Sequence, residues 1–217
     1  MENKYHRNIV GWEEILKNLP KSYKKWFAEE KKFFRKYIKK DSNVLEIGCG
    51  NGRSLIDILK ITKNITGIDN DKLAVEHTKN NLKNILQSKI ILADGKNLPF
   101  EDESFDFVTC IGTFANLGKD KYAILSEMKR VLKYHGDIII SVYSEKAFPE
   151  RIKIYRKNKF NIKEVKKDGT VIFKGKKDII SEQFSKEDLA DIFNKAKLKI
   201  NVIKDAGIGY ICMLSKQ

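Results

Sequence analysis

The first 42 residues carry apolar positions at helical spacing. Trp26, Phe27, Phe33, Phe34, Tyr37 and Ile38 stand among lysines and glutamates, and Ser22 is placed to cap a helix running to about Lys39. The rhythm then changes. Val44–Ile47 is a short, largely apolar run, followed by a helical stripe of Leu55, Ile56, Ile58 and Leu59. Ile65–Ile68 reads as a strand ending at Asp69, 71–84 as a helix, and Lys89–Ala93 as a strand ending at Asp94. Phe105–Ile111 is a further strand. A helix over about 119–134 turns Tyr122, Leu125, Met128, Val131 and Leu132 inward, and Ile138–Tyr143 follows as a strand.

Several of these strands are apolar without alternation, and helices separate them. That pattern belongs to a parallel sheet covered on both faces, and right-handed crossovers make it doubly wound. Ligands of such sheets bind beyond the C-terminal strand ends. The glycines after Ile47, Asp69, Asp94 and Cys110-Ile111 all fall at such ends. The tail differs: a hairpin of Asn161–Lys166 and Thr170–Lys174 turns at Asp168-Gly169, within an insertion over about 160–180. Ser185 is placed to cap a helix over Glu187–Lys197, with a capping box to Asp188, and Lys199–Ile203 and Tyr210–Leu214 close the domain as strands. The chain divides into an N-terminal helical lid, 1–42, and an α/β domain, 43–217.

The chemistry centres on Val44-Leu45-Glu46-Ile47-Gly48-Cys49-Gly50-Asn51-Gly52. Glycines at a strand-to-helix turn let a ligand lie against the backbone and leave helix N–H groups nearby, although an ordinary tight turn needs glycine too. Asp69 ends the next strand, where an acid can accept two hydrogen bonds from a ribose diol. A redox dinucleotide turn would carry a third glycine at position 53, which is Arg, and a phosphate loop would need Gly-Lys-Ser/Thr. A nucleoside without phosphates suits the turn better.

At this point the sequence resembles the class I S-adenosylmethionine-dependent methyltransferases. The likeness lies in VLEIGCGNG (44–52), ITGIDND (65–71), ILADGKNLPFEDESFDFV (91–108) and EMKRVLKYHGDIIIS (127–141), and SEQFSKEDLADIFNKAKLKI (181–200) looks like the family's sixth helix and strand. It covers roughly residues 40–217 and is nearest to the ubiquinone/menaquinone-biosynthesis-like branch, which mostly methylates small molecules. The resemblance implies a Rossmann-like, mostly parallel seven-stranded sheet with an antiparallel last strand, and S-adenosyl-L-methionine as cofactor. It implies that Gly48, Gly50 and Gly52 pass beneath the methionine and ribose portions and that Glu46 helps hold the methionine ammonium. Asp69 would take the ribose hydroxyls and Asn70 would lie by the adenine. Asp94 would accept from the adenine amine, with Gly95 beside it, and Cys110 and Ile111 would line the methionine end.

Methyl transfer from a sulfonium is an in-line displacement that alignment and water exclusion can drive, so no catalytic residue need be diagnostic, and none is assigned. After the fourth strand stands CIGTFANL, neither an [ND]PP[YFW] tetrad nor a Pro-Cys pair. GTFANL is similar to a loop of glycine N-methyltransferases, and SYKKWF (22–27) resembles the branch's lid helix. Candidate acceptor-site residues are Tyr5, His6, Tyr23, Trp26, Phe114 and Tyr143, with Trp12 also among the early aromatics. Aromatic faces suit a sulfonium or an amine, and they equally suit a packed helix.

Composition adds a rival. The formal charge is +14, yet 37 of the 43 basic residues are lysines. Arginine is the side chain that makes bidentate phosphate and base contacts, so nucleic acid is a possible but unfavoured partner. Lys163, Lys166, Lys167, Lys174, Lys176 and Lys177 with Lys21, Lys24 and Lys25 make a basic rim that either steers an anionic substrate or RNA, or is a solvated face. Cys49, Cys110 and Cys212 form no CxxC pair, so reduced cytoplasmic thiols are expected, not a disulfide frame or a metal site. No apolar run is long enough to span a membrane and the N-terminus lacks a signal-peptide core. Three readings compete: a small-molecule methyltransferase, an RNA methyltransferase, and a non-catalytic cofactor-binding module.

Overall fold

The computed structural model describes residues 15–83, 89–175 and 178–217. Tyr5, His6, Trp12, Lys176 and Lys177 lie outside the described residues. A seven-stranded sheet carries the fold. Its strands are β1 (Val44–Ile47), β2 (Ile65–Asp69), β3 (Lys89–Leu92), β4 (Phe105–Ile111), β5 (Leu132–Tyr143), β9 (Leu198–Asp205) and β10 (Gly209–Lys216), in the order β3-β2-β1-β4-β5-β10-β9. β1 runs parallel to both β2 and β4, pairing Val44 with Ile65 and with Phe107. β10 alone is antiparallel to its neighbours, setting Gly209 beside Tyr143. Chain order reverses at β1, whose next strand on the other side is β4, and the glycine turn leaves the sheet there. That is where a doubly wound sheet opens a crevice.

Among the described residues, the helices that flank the sheet include α1 (Lys21–Tyr37), α2 (Arg53–Ile58), α3 (Lys72–Leu82), α4 (Lys121–Val131), α5 (Phe148–Lys157) and α6 (Lys186–Lys195). Helix cover on both faces explains why β1 and most of β4, β5 and β10 are buried without alternation. Asp71 caps α3 by accepting from the Leu73 N–H at 3.0 Å. Ser185 caps α6 in a full capping box with Asp188.

Three sequence expectations need correction. Pro20, not Ser22, precedes α1, and Ser22 lies inside its first turn, where its hydroxyl donates to the Glu150 carboxylate. The fourth crossover helix ends at Val131, and strand begins at once with Leu132. Tyr122 faces outward, because the inner stripe of α4 runs through Ile124, Leu125, Met128 and Val131. The expected hairpin is present as β6 (Ile162–Val165) and β7 (Val171–Phe173), and β8 (Ile179–Ser181) extends it to a separate three-stranded antiparallel sheet that α5 precedes. β8 reaches back to the main domain through the Glu182 N–H, which donates to the Ala115 carbonyl at 2.8 Å.

Candidate functional site

At the C-terminal edge of the sheet, β1 ends and the chain folds sharply. The N–H groups of Gly48 and Cys49 both donate to the Ile68 carbonyl, at 2.8 and 2.9 Å, so the turn is stitched to β2. Gly48 has φ +71°, and a Cβ there would stand 2.3 Å from a Thr113 methyl, so backbone conformation and space both require glycine. Thr113 donates its hydroxyl to the Gly48 carbonyl at 2.8 Å, and Thr78 to the Gly50 carbonyl at 2.7 Å. Asp69, at the tip of β2, accepts from the Gly50 N–H and the Asp71 N–H, both at 2.9 Å. Burial pushes its carboxyl above the ordinary carboxylate value, against those backbone bonds. Asp94, just beyond β3, is half exposed; it accepts from the Lys96 N–H at 2.9 Å.

These groups face one cavity of about 550 Å³, within the roughly 300–1,000 Å³ of small-molecule sites. Gly48, Gly50, Asp69 and Asp94 form one end. The other lies between α1 and the small sheet, with Tyr23, Trp26, Tyr143, Tyr155, Phe173 and Ser181 on its wall. Trp26 of α1 rests on Gly209, where a Cβ would come within 2.2 Å of the indole. Its Nε1 donates to Ser141 at 2.9 Å, and Ser141 donates to Glu30 at 2.6 Å. The fully buried Glu30 also pairs with Arg53 of α2 at 2.7 Å, and that guanidinium lies 3.9 Å over the Phe27 ring. Helix α1 is therefore tied to β5 and to the helix that follows the glycine turn.

Residues 45–140 match the family described as Methyltransferase domain. A demethylmenaquinone methyltransferase of Staphylococcus aureus is 32% identical over 161 residues, 68% of this chain and 66% of its own. The chain thus spans about two thirds of the length of that curated relative. A Pyrococcus horikoshii OT3 protein of solved structure superimposes with a TM-score of 0.72 at 19% identity, covering 92% of this chain and 93% of its own. A SAM-dependent methyltransferase from Methanosarcina mazei does so with a TM-score of 0.66 at 21% identity, covering 85% and 96%. This chain belongs to the class I S-adenosylmethionine-dependent methyltransferases.

S-adenosylmethionine is the cofactor of this methyltransferase, and the residues at the glycine end fit it. A Cβ built on Gly50 or Gly112, both on the wall, meets nothing within 4 Å, so the space above the backbone is open. Arg53, the cation after the turn, borders the cavity with its guanidinium paired to Glu30 at 2.7 Å. Glu46 on β1 is fully buried; the Ser54 hydroxyl donates to Oε1, while Oε2 has no partner. Burial pushes its carboxyl to about 8, with the Ser54 bond and Arg53 opposing.

Of the residues expected from sequence, Gly48, Gly50, Asp69, Asn70, Asp94, Gly95 and Ile111 line the cavity on the glycine side, and Tyr23, Trp26 and Tyr143 on the side of α1. Glu46, Gly52, Cys110 and Phe114 are set behind the wall. Cys110 is buried beneath Ile111, and burial holds its thiol well above the usual range, which suits packing and not nucleophilic attack. Phe114 stacks on Phe184 and Phe193, at ring separations of 5.8 and 6.1 Å. Sequence reasoning passed over Thr78 and Thr113, which clamp the turn, and Glu30, Arg53, Arg151, Tyr155 and Ser181. Arginine scarcity was a usable signal: among six arginines and 37 lysines, a planar fork is kept where geometry needs it.

Proposed function

We propose that this methyltransferase transfers the cofactor's methyl group to an N, O or C atom of a small-molecule acceptor held between the lid helix and the small sheet. The observation that carries the reading is the single cavity running from the glycine turn to the aromatic wall, of a volume suited to a nucleoside and a compact neighbour. The name of the Staphylococcus aureus relative also points to a small acceptor. In this reading residues 1–42 act as a lid on the domain of residues 43–217, and cytoplasmic location accords with three buried, unpaired cysteines. No helix among the described residues is long and apolar enough to cross a membrane.

The sulfonium supplies an activated methyl group. In the proposed mechanism, Asp69 and Asp94 fix the nucleoside end, while the peptide of Gly48 and Gly50 allows close approach beneath it. Trp26, Tyr23 and Tyr143, locked by buried hydrogen bonds, exclude water and align the acceptor. Transfer of labelled methyl to metabolite extracts, fractionated by size, tests this reading. Label confined to tRNA or rRNA overturns it in favour of the basic rim, and cofactor binding with no transfer at all leaves a binding module.

A further inference from the structure

We infer that the acceptor carries an oxyanion, phenolate or carboxylate, seated on the hydroxyls of Tyr155 and Ser181, which the buried guanidinium of Arg151 polarises. The inference rests on the small-molecule reading above and specifies its substrate class.

Arg151 of α5 is fully buried. Its Nη2 donates to the Ser181 carbonyl at 2.7 Å and to Ser181 Oγ at 2.8 Å, and Nη1 to Gln183 Oε1 at 2.8 Å and the Gly169 carbonyl at 3.5 Å. Its Cζ lies 4.6 Å over the Tyr143 ring and 5.8 Å over that of Tyr155. Every one of these partners is neutral, Nε has none, and no carboxylate among the described residues pairs with the guanidinium. The nearby acids are engaged elsewhere: Asp178 with Lys163, Glu182 with Lys121, and Glu150 with the Ser22 hydroxyl. A buried charge without a counter-charge is costly, and folded chains keep such charges paired. Here no carboxylate among the described residues contacts the guanidinium, and the cavity lies one residue away.

Hydroxyl bookkeeping shows where the charge is felt. Ser181 Oγ accepts from Arg151, so its own hydrogen points elsewhere. Tyr155 Oη lies 3.1 Å from Ser181 Oγ, and one hydrogen suffices for that contact. The two hydroxyls hold two hydrogens, so one O–H remains to donate. Both residues line the cavity, beside the apolar Phe173, Ile179 and Ile180. A donor polarised by a cation within an apolar wall favours an anionic oxygen over a neutral one. This places Arg151 as a positioning residue acting through Tyr155 and Ser181.

The test uses the full chain loaded with S-adenosylhomocysteine and three probes: 4-nitrophenol, 4-nitrobenzoate and the neutral 4-nitroanisole. At least one anion is expected to bind about tenfold or more tighter than the anisole, the size of one charge-assisted hydrogen bond. Whichever anion gains distinguishes phenolate from carboxylate. If it is the phenol, the bound probe shows its visible phenolate band at a pH where the free probe is neutral. Arg151→Met is expected to bring the anion-to-anisole ratio near one while leaving anisole binding in place. Should that variant not fold, Tyr155→Phe, which keeps every Arg151 contact to Ser181, is expected to reduce the ratio alone. Equal affinity for all three probes in the unaltered protein, or a ratio that persists in both variants, overturns the inference and leaves the small-molecule reading standing. Binding of no probe overturns both.

Discussion

Replacing Glu46 by glutamine isolates a single buried proton. Burial pushes the Glu46 carboxyl to about 8, against an ordinary value of 4.5. Between those pH values the unfolded chain has released a proton that the folded chain retains. The folded-state value is the raised one, so its stabilising contribution is complete below about pH 4.5 and is lost as pH rises toward 8. At pH 7 the loss is about 3 kcal/mol, from some 2.5 pH units at about 1.36 kcal/mol each. Full burial means that solvent screening does not reduce it. Glutamine has the same shape, still accepts from Ser54 and never ionises. Glu46→Gln should therefore match the unaltered, ligand-free protein at pH 4.5 and exceed it progressively to pH 8. By pH 7 the gain corresponds to about 6–12 °C in Tm for a chain of this size. Parallel urea denaturation from pH 4.5 to 8.5 measures the difference directly. A difference that stays flat across that range refutes the reasoning.

Cofactor binding at pH 7 should ionise Glu46 and release a proton, visible as a calorimetric enthalpy that changes with the ionisation heat of the buffer; Glu46→Gln should abolish that dependence and weaken binding. Asp69→Ala should lower cofactor affinity about a hundredfold or more, since it removes an acceptor of two charge-assisted hydrogen bonds and frees the turn it holds through Gly50; unchanged calorimetric affinity would sink the ribose assignment. Gly48→Ala should cost both stability and cofactor binding, because its Cβ meets Thr113 at 2.3 Å in a left-handed conformation, and adding Thr113→Ala should restore only a part, since the Cβ at position 113 still lies 2.8 Å away and the conformation stays strained. Glu30→Ala should destabilise by about 3–5 kcal/mol by leaving Arg53 without its buried partner, read as a lower urea midpoint.

Strands β1 to β5 were legible because burial on both faces leaves apolar runs, and because a glycine turn and strand-tip acids punctuate them. Boundaries blurred where periodicity gave no warning: Leu132 closes the apolar stripe of α4 yet begins β5. The lid end was the least legible part. α5 mixes Phe-Pro-Glu-Arg with lysines and has no sharp stripe, and β8 is only three residues long. Glu30 and Arg151 carry no distinguishing local sequence signal, and their burial depends on partners 23 to 111 positions away for Glu30 and 18 to 32 away for Arg151. Pattern reasoning sees a charge's neighbours in sequence, whereas burial of a charge is decided by neighbours in space.

The same contrast bears on the charge of +14. Arg53 forks onto Glu30 and stacks on Phe27; Arg130 holds Glu127, Asp102 and the carbonyls of Phe100 and Leu98; Arg151 ties α5 to the small sheet. Three of the six arginines are thus committed to the fold, Arg35 and Arg156 are exposed, and Arg7 lies outside the described residues. The rim positions Lys21, Lys24, Lys25, Lys166 and Lys167 are exposed lysines, and Lys163 is already paired with Asp178. A surface that read phosphates by geometry would present planar forks there, while this one presents hydrated point charges. Such charges give a long-range field that attracts anions of any kind and fades with salt. For the anionic acceptor inferred above, the field would raise the encounter rate and the buried Arg151 would select the oxyanion once it is inside. Raising the salt should therefore slow association of an anionic probe without removing the preference that Arg151 confers.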